Sequence, residues 1–196
     1  LGRMVSGLQK SPDGRKDFEK IDADNLTAYF NKVGVSDNVY YFSGDSEKDG
    51  SRKSGLQTIS FDDGDYQFYF QNNGKAAHGY ITRLRKYVNR GVVLAADNDE
   101  SNYGYVVTGA TTKEIPATTT EVKYFDGSAI PATAVLVNTT GTVQKSKFNL
   151  KDINDVYYVT DGEGKILYAS YKKLYTTPSS DHNTGVTIGT KTYYTE

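Results

Sequence analysis

Ring systems are the most abundant chemistry-bearing groups in this sequence: Tyr occurs 17 times and Phe 8 times, and there is no Trp. They gather in short runs, Tyr40-Tyr41-Phe42, Tyr66 with Phe68-Tyr69-Phe70, Tyr157-Tyr158 and Tyr193-Tyr194. A Tyr can stack its apolar face on a sugar ring while its hydroxyl bonds the rim. Neighbours in a strand point to opposite faces, so one member of each pair is expected in the core and the other toward solvent. The remaining chemistry is sparse. His78 reads as an exposed residue beside a turn, and His182 lies in the polar run Ser179-Ser180-Asp181-His182-Asn183. A Ser/His/Asp triad is assembled in space from separate segments, and no Gly-x-Ser-x-Gly elbow accompanies this run. Asp62-Asp63-Gly64-Asp65 and Asp97-Asn98-Asp99-Glu100 offer oxygen ligands but lack the spacing of a calcium loop, and turn formation accounts for them. No acid sits in an apolar run that would raise its pKa for glycoside cleavage. Arg83, Arg85, Lys86 and Arg90 form the basic cluster, with Arg83 and Arg85 expected on one strand face as a solvated, aggregation-resistant edge. The sequence therefore points to no catalytic residue, no metal ligand and no cofactor.

The elements that must carry these rings are set out by glycine. Gly2 to Leu8, Gly50 to Leu56 and Gly74 to Tyr80 share one outline: Gly, four residues, Gly, then a bulky apolar residue. Gly55 and Gly79 lie 24 residues apart, and Gly7 precedes Gly55 by twice that step. Aromatic runs precede the two later copies, so the unit reads as strand, turn, strand, then Gly with a bulky residue: a β-hairpin repeat. In the longer first interval, Leu26, Tyr29, Phe30 and Val33 recur at helical spacing, with Asp24 as N-cap and Gly34 after the end. Further hairpins are expected at 87–94, 135–143 and 156–168. An aromatic strand is expected to end at Asp126-Gly127, and a last hairpin to begin at Gly189. Thr crowds into the half beyond residue 98 while every Arg lies at or before Arg90, which places a boundary near 95–103. The expected fold is all-β: hairpin repeats, solenoid-like or as two small β lobes, with one short helix. The expected domains are 1–95, hairpin repeats with a helical insertion at 24–33, and 96–196, a Thr-rich diverged hairpin region.

Val39 to Leu56 and Asp65 to Ile81, with Gly2 to Leu8 as a partial copy and Val156 to Tyr168 as a weaker one, resemble the cell-wall-binding repeats of Gram-positive surface proteins. That family includes choline-binding and glucan-binding modules. The resemblance implies stacked hairpins with ligands held between successive units on aromatic side chains. The family's aromatic-strand positions fall on Tyr40, Tyr41, Phe42, Tyr66, Phe68, Tyr69 and Phe70, and the position after the second Gly on Leu8, Leu56 and Tyr80. A quaternary ammonium is best held by Trp. This chain has none, and Leu follows Gly7 and Gly55, so choline is not the expected ligand.

Charge and length narrow the remaining classes. The formal net charge of −1 over 196 residues gives no field for nucleic acid or an anionic membrane. No apolar run is long enough to span a bilayer, and without Cys there is neither a disulfide nor thiol chemistry. The expectation is a noncatalytic, secreted or cell-surface module, one piece of a longer parent chain with further domains. Its expected partner is cell-wall polysaccharide or teichoic acid, met by Tyr66, Tyr80, Tyr40 and Tyr69. The alternative is a structural stalk or a protein-binding module with no glycan site.

Overall fold

The computed structural model describes residues 5–44 and 50–196. Gly2, Arg3 and Met4 of the first glycine pattern lie outside the described residues. The chain divides into two compact units, one running to Thr82 and including Lys86–Leu94, the other made of Arg83–Arg85 and Ala95–Glu196. Among the described residues the structure is antiparallel sheet with a single short helix and no closed barrel.

In the first unit, β1 (Gly7–Lys10) lies between β2 (Glu19–Lys20) and β3 (Val39–Phe42). A second sheet has the order β4 (Gly55–Phe61), β5 (Gly64–Phe70), β8 (Val92–Val93), β7 (Lys86–Asn89) and β6 (Gly79–Ile81). The glycine repeat is visible in the backbone. Gly7, Gly55 and Gly79 each open a strand with φ of 73°, 76° and 110°, a region that favours a residue without Cβ. Three residues before the later two, Arg52 bridges Phe42 and Ala76 bridges Phe70. Both Ser-Gly-Leu-Gln copies also close the same local bond: the Gln9 side chain donates to the Ser6 carbonyl at 2.7 Å and Gln57 to the Ser54 carbonyl at 2.8 Å.

The helix, α1 (Leu26–Lys32), starts one residue later than the sequence suggests. Asn25 is its N-cap, accepting from the Ala28 N–H at 2.7 Å, while the Asp24 carbonyl accepts from Asp62 N–H. Seven residues are too few for a helix to persist alone; packing holds it. Tyr29 is fully buried, edge-on to Phe68 at 5.2 Å, in a core with Leu8, Ile21, Val33, Val39, Ile59 and Phe70. Each such side chain contributes about 1.5–3 kcal/mol. Arg90 closes the helix C-terminus: its guanidinium donates to the carbonyls of Phe30 and Val33, lies 4.5 Å from the Phe30 ring centre, and its carbonyl accepts from Tyr29 Oη.

The expected basic stripe does not form. Arg83 and Arg85 lie in the turn between β6 and β7, where Arg85 takes φ of 55°, Lys86 is buried, and Arg90 is spent on the helix. The strand, turn, strand reading of 87–94 holds, with Arg90 and Gly91 both at positive φ, as a two-residue hairpin turn of this hand requires.

The second unit contains β9 (Tyr103–Val107) paired with β10 (Ala134–Asn138), the sheet β11 (Leu150–Lys151), β12 (Tyr157–Thr160), β13 (Ile166–Ser170), and the hairpin β14 (Thr184–Ile188), β15 (Lys191–Thr195). Three turns share one hydrogen-bond pattern. At Asn138, Asp152 and Asp161 the side-chain Oδ1 accepts N–H groups two and four residues on. In each, the backbone N–H also reaches the carbonyl four residues on, and the carbonyl takes the N–H three on. That third residue, Gly141, Asp155 or Gly164, has positive φ. Several expectations are corrected here. Val122 to Gly127 is irregular, pairing with a sheet only at the Lys123–Tyr105 bridge. Val135 to Val143 closes as a hairpin only around Val137–Val143, because Gly164 and Lys165 take the rest of that edge of β10 while β9 holds the other. Gly189 is the turn inside a completed hairpin rather than the start of a new one.

Candidate functional site

An open groove of about 440 Å³ lies in the second unit, lined by Phe125, Ser128, Ile130, Leu167, Ser170 and Tyr171 among others. Its features follow from local structure. Tyr171 sits in the bend after β13, and the residue that follows it is fixed through its backbone. Ser170 Oγ accepts the Lys172 N–H at 3.1 Å, and Tyr168 Oη donates to the Lys172 carbonyl at 2.5 Å. Tyr171 is thereby held 53% exposed. Phe125, half-buried, meets it at 5.3 Å between ring centres and 51° between planes. The Phe125 segment is tied on either side. The Lys123–Tyr105 bridge precedes it, the Tyr124 hydroxyl accepts the Asp97 N–H at 2.7 Å, and Asp126 accepts from the Ser128 N–H at 2.9 Å. Ser128 holds the Asp126 carboxyl below the usual carboxylate range, and burial raises the hydroxyls of Tyr105 and Tyr124 above their ordinary value.

No charged side chain lines this groove. It combines an exposed flat ring, a second ring set at an angle, aliphatic walls, and serine hydroxyls with backbone at the rim. That is a surface for stacking and hydrogen bonding an uncharged, ring-shaped ligand. It holds no pair of groups placed for proton transfer.

The four tyrosines singled out from sequence are placed differently. Tyr40 is 5% exposed, with the Arg52 guanidinium 4.7 Å from its ring centre and Gly14 backed against its hydroxyl end. Tyr69 is 8% exposed, on the opposite face of β5 from Phe68 and Phe70. Tyr66 is half-buried and packs on Phe61 with its hydroxyl on Asp63. Tyr80 is half-buried against Tyr87 at 5.0 Å. The structure does not bring Tyr66 and Tyr80 to one groove: β8 and β7 lie between their strands, about 14 Å of sheet.

The polar candidates have local roles. His78 is half-buried, and its Nδ1 accepts the Arg90 N–H at 3.1 Å, so it is not the exposed turn residue expected. His182 stacks on Tyr175 at 3.7 Å and shares a 2.9 Å hydrogen bond with Ser179, while Asp181 bonds within the loop to the Ser180 hydroxyl. Asp63, Asp65 and Asp97 bond within their own turns. Among the described residues no three His, Asp or Glu side chains gather as a metal site, and no helix is long and apolar enough to cross a membrane.

The Phe125–Tyr171 pair was not singled out from sequence. Its members belong to irregular segments far apart in the chain, with no periodicity to mark them. The signal that was present is the Asp-Gly turn beside Phe125 and an aromatic residue beyond the Asp161 hairpin.

No family model matches the chain, and no curated protein matches it. A solved structure described as alternansucrase in complex with isomaltononaose aligns with 96% of this chain at 17% identity and a TM-score of 0.32. The alignment spans 11% of that protein's own chain. A likeness of this strength is weak and carries no argument about fold or ligand.

Proposed function

We propose that this protein is a noncatalytic, extracellular module that attaches to bacterial cell wall or another glycan, through aromatic side chains held out from small β-hairpin sheets. The observation that carries this reading is Tyr171, exposed and held by the doubly bonded Lys172 backbone that follows it, with Phe125 angled beside it in an uncharged groove. An exposed tyrosine on a mobile loop would be unremarked; one that leaves a paired strand at Ser170 and is followed by a residue tied through both its N–H and its carbonyl is presented as a plate. The Gram-positive repeat resemblance supports the same class of ligand, and by that resemblance the wall is the surface to test first. An uncharged groove favours the sugar backbone over teichoic acid phosphate.

The test is retention of the protein by isolated Gram-positive cell walls, intact and stripped of teichoic acid, and by soluble dextran. Tyr171→Ala, with its fold verified by circular dichroism, is expected to weaken retention about fivefold or more, the worth of one stacked ring. Equal retention of the folded variant would move the site elsewhere.

A second reading draws on a separate observation. Tyr40 and Tyr69, which take the family's aromatic-strand positions, are buried in the first unit. This favours a purely structural role for that unit, as a spacer whose rings hold hairpins together. Tyr66→Ala with Tyr80→Ala then changes its stability and leaves glycan retention unchanged.

A further inference from the structure

We infer that Phe148 and Tyr193 form a second sugar-ring site in the same unit, so that one glycan chain is gripped at two places; this rests on the reading of Phe125 and Tyr171 as the first. The two pairs match in geometry. Phe148 and Tyr193 lie 5.1 Å apart at 41°, against 5.3 Å and 51° for Phe125 and Tyr171. They match in spacing as well. The step from Phe125 to Phe148 and the step from Tyr171 to Tyr193 differ by a single residue, and both approach the Gly55-to-Gly79 step of the hairpin repeat.

The second pair is presented as deliberately as the first. Phe148 is 46% exposed, yet both its neighbours are fixed. Lys147 exchanges bonds with Thr160, its N–H to the hydroxyl and its carbonyl from the Thr160 N–H, each at 2.9 Å. The Asn149 side chain exchanges bonds with the Leu174 backbone at 2.8 and 3.1 Å. Ser146 and Asn149 on either side adopt φ of 52° and 50°, a conformation that non-glycine residues enter at a cost and that clusters at functional positions. The exposed ring adds nothing to folding and the positive φ on either side costs; a ring-shaped ligand stacked on it gives the arrangement a use. The Lys191 ammonium lies 5.2 Å from the centre of the Tyr193 ring, covering it and leaving Phe148 as the open plate.

The occupant is a second stretch of the same polymer. A glycan repeats its sugar ring along the chain, as this unit repeats its ring pair along the sequence. Two sites on one polymer bind with an avidity that neither has alone.

Calorimetric titration uses two probes, a short dextran fragment and soluble fragments released from cell wall, with folds verified by circular dichroism. Wild type is expected to bind two fragments, Phe148→Ala and Tyr171→Ala one each, and the double variant none. Retention on the intact polymer is expected to fall about fivefold or more in either single variant, since each loses one of the two grips. Phe148→Leu keeps apolar bulk without a flat ring and is expected to behave as Phe148→Ala. A wild-type stoichiometry of one that Tyr171→Ala abolishes and Phe148→Ala leaves intact overturns the second site and spares the first. Two sites that both survive Phe148→Ala overturn it equally. A wild type that binds neither probe overturns both readings together.

Discussion

Asp152 is buried and fully engaged: its Oδ1 accepts the N–H groups of Asn154 and Val156, and its Oδ2 the hydroxyls of Ser101 and Tyr158. The sequence offers no sign of this, because one acid among 24 acidic residues looks like any other turn former. Removing it strands two backbone donors and two hydroxyls at once. Asp152→Ala is expected to cost about 3 kcal/mol in urea unfolding, the range for breaking a buried charged network. Asp152→Asn keeps an Oδ1 for the backbone and offers an amide to hydroxyls that can turn to accept, so its cost is expected to stay near 1 kcal/mol. The same scale explains the tyrosines. Tyr40 and Tyr171 carry the same ring, but an arginine lies over the first and a groove opens beside the second.

Among the elements, two glycines with similar backbone angles should respond differently to the same change. Gly55 has φ of 76° with nothing within 4 Å of a would-be Cβ, whereas at Gly164, with φ of 85°, a Cβ would overlap Val143 Cγ1. Gly55→Ala is expected to cost about 1–2 kcal/mol from backbone strain alone. Gly164→Ala adds steric overlap and is expected to cost about 3 kcal/mol or more. Urea midpoints of the two variants check the order. The glycine-opened strands could be read from sequence because positive φ selects glycine so strongly. Non-glycine residues that take the same angles leave no such mark. Arg85 turns the chain at φ of 55° where alternating Arg83 and Arg85 suggested a strand, and Ser146 and Asn149 flank Phe148 unannounced. Val122 to Gly127 has strand composition, but Gly104 lets the side chains of Val122 and Tyr124 crowd against β9, and the segment packs there instead of pairing along it. The candidate site stayed hidden for a related reason: each of its ring pairs closes across long, irregular stretches of chain.

At the scale of the whole molecule, each unit buries a tyrosine hydroxyl, Tyr29 in the first and Tyr158 in the second. Burial raises both well above the ordinary value of 10, helped at Tyr158 by the Asp152 carboxylate. A raised tyrosine pKa means the folded state holds its proton longer than the unfolded chain. The stabilisation is complete below the unfolded value and is lost as pH climbs above it, at about 1.4 kcal/mol per pH unit for each tyrosine. Alkaline titration is expected to show exposed tyrosines ionising first by ultraviolet absorbance. Tyr29 and Tyr158 should ionise only as circular dichroism reports unfolding. Ionisation of every tyrosine before any loss of structure would contradict the burial.

The three matching turns at Asn138, Asp152 and Asp161 bear on how quickly the second unit reaches its fold. Each is closed by bonds spanning no more than four residues, so its loop-closure entropy is small and its formation time is that of a hairpin, about 1–10 μs. The slow step is left to the distant pairing of β9 with β10 and the meeting of the ring-bearing segments. A chain organised this way can leave a narrow channel unfolded and begin closing its hairpins one after another as they emerge, with the exposed ring pairs assembled last.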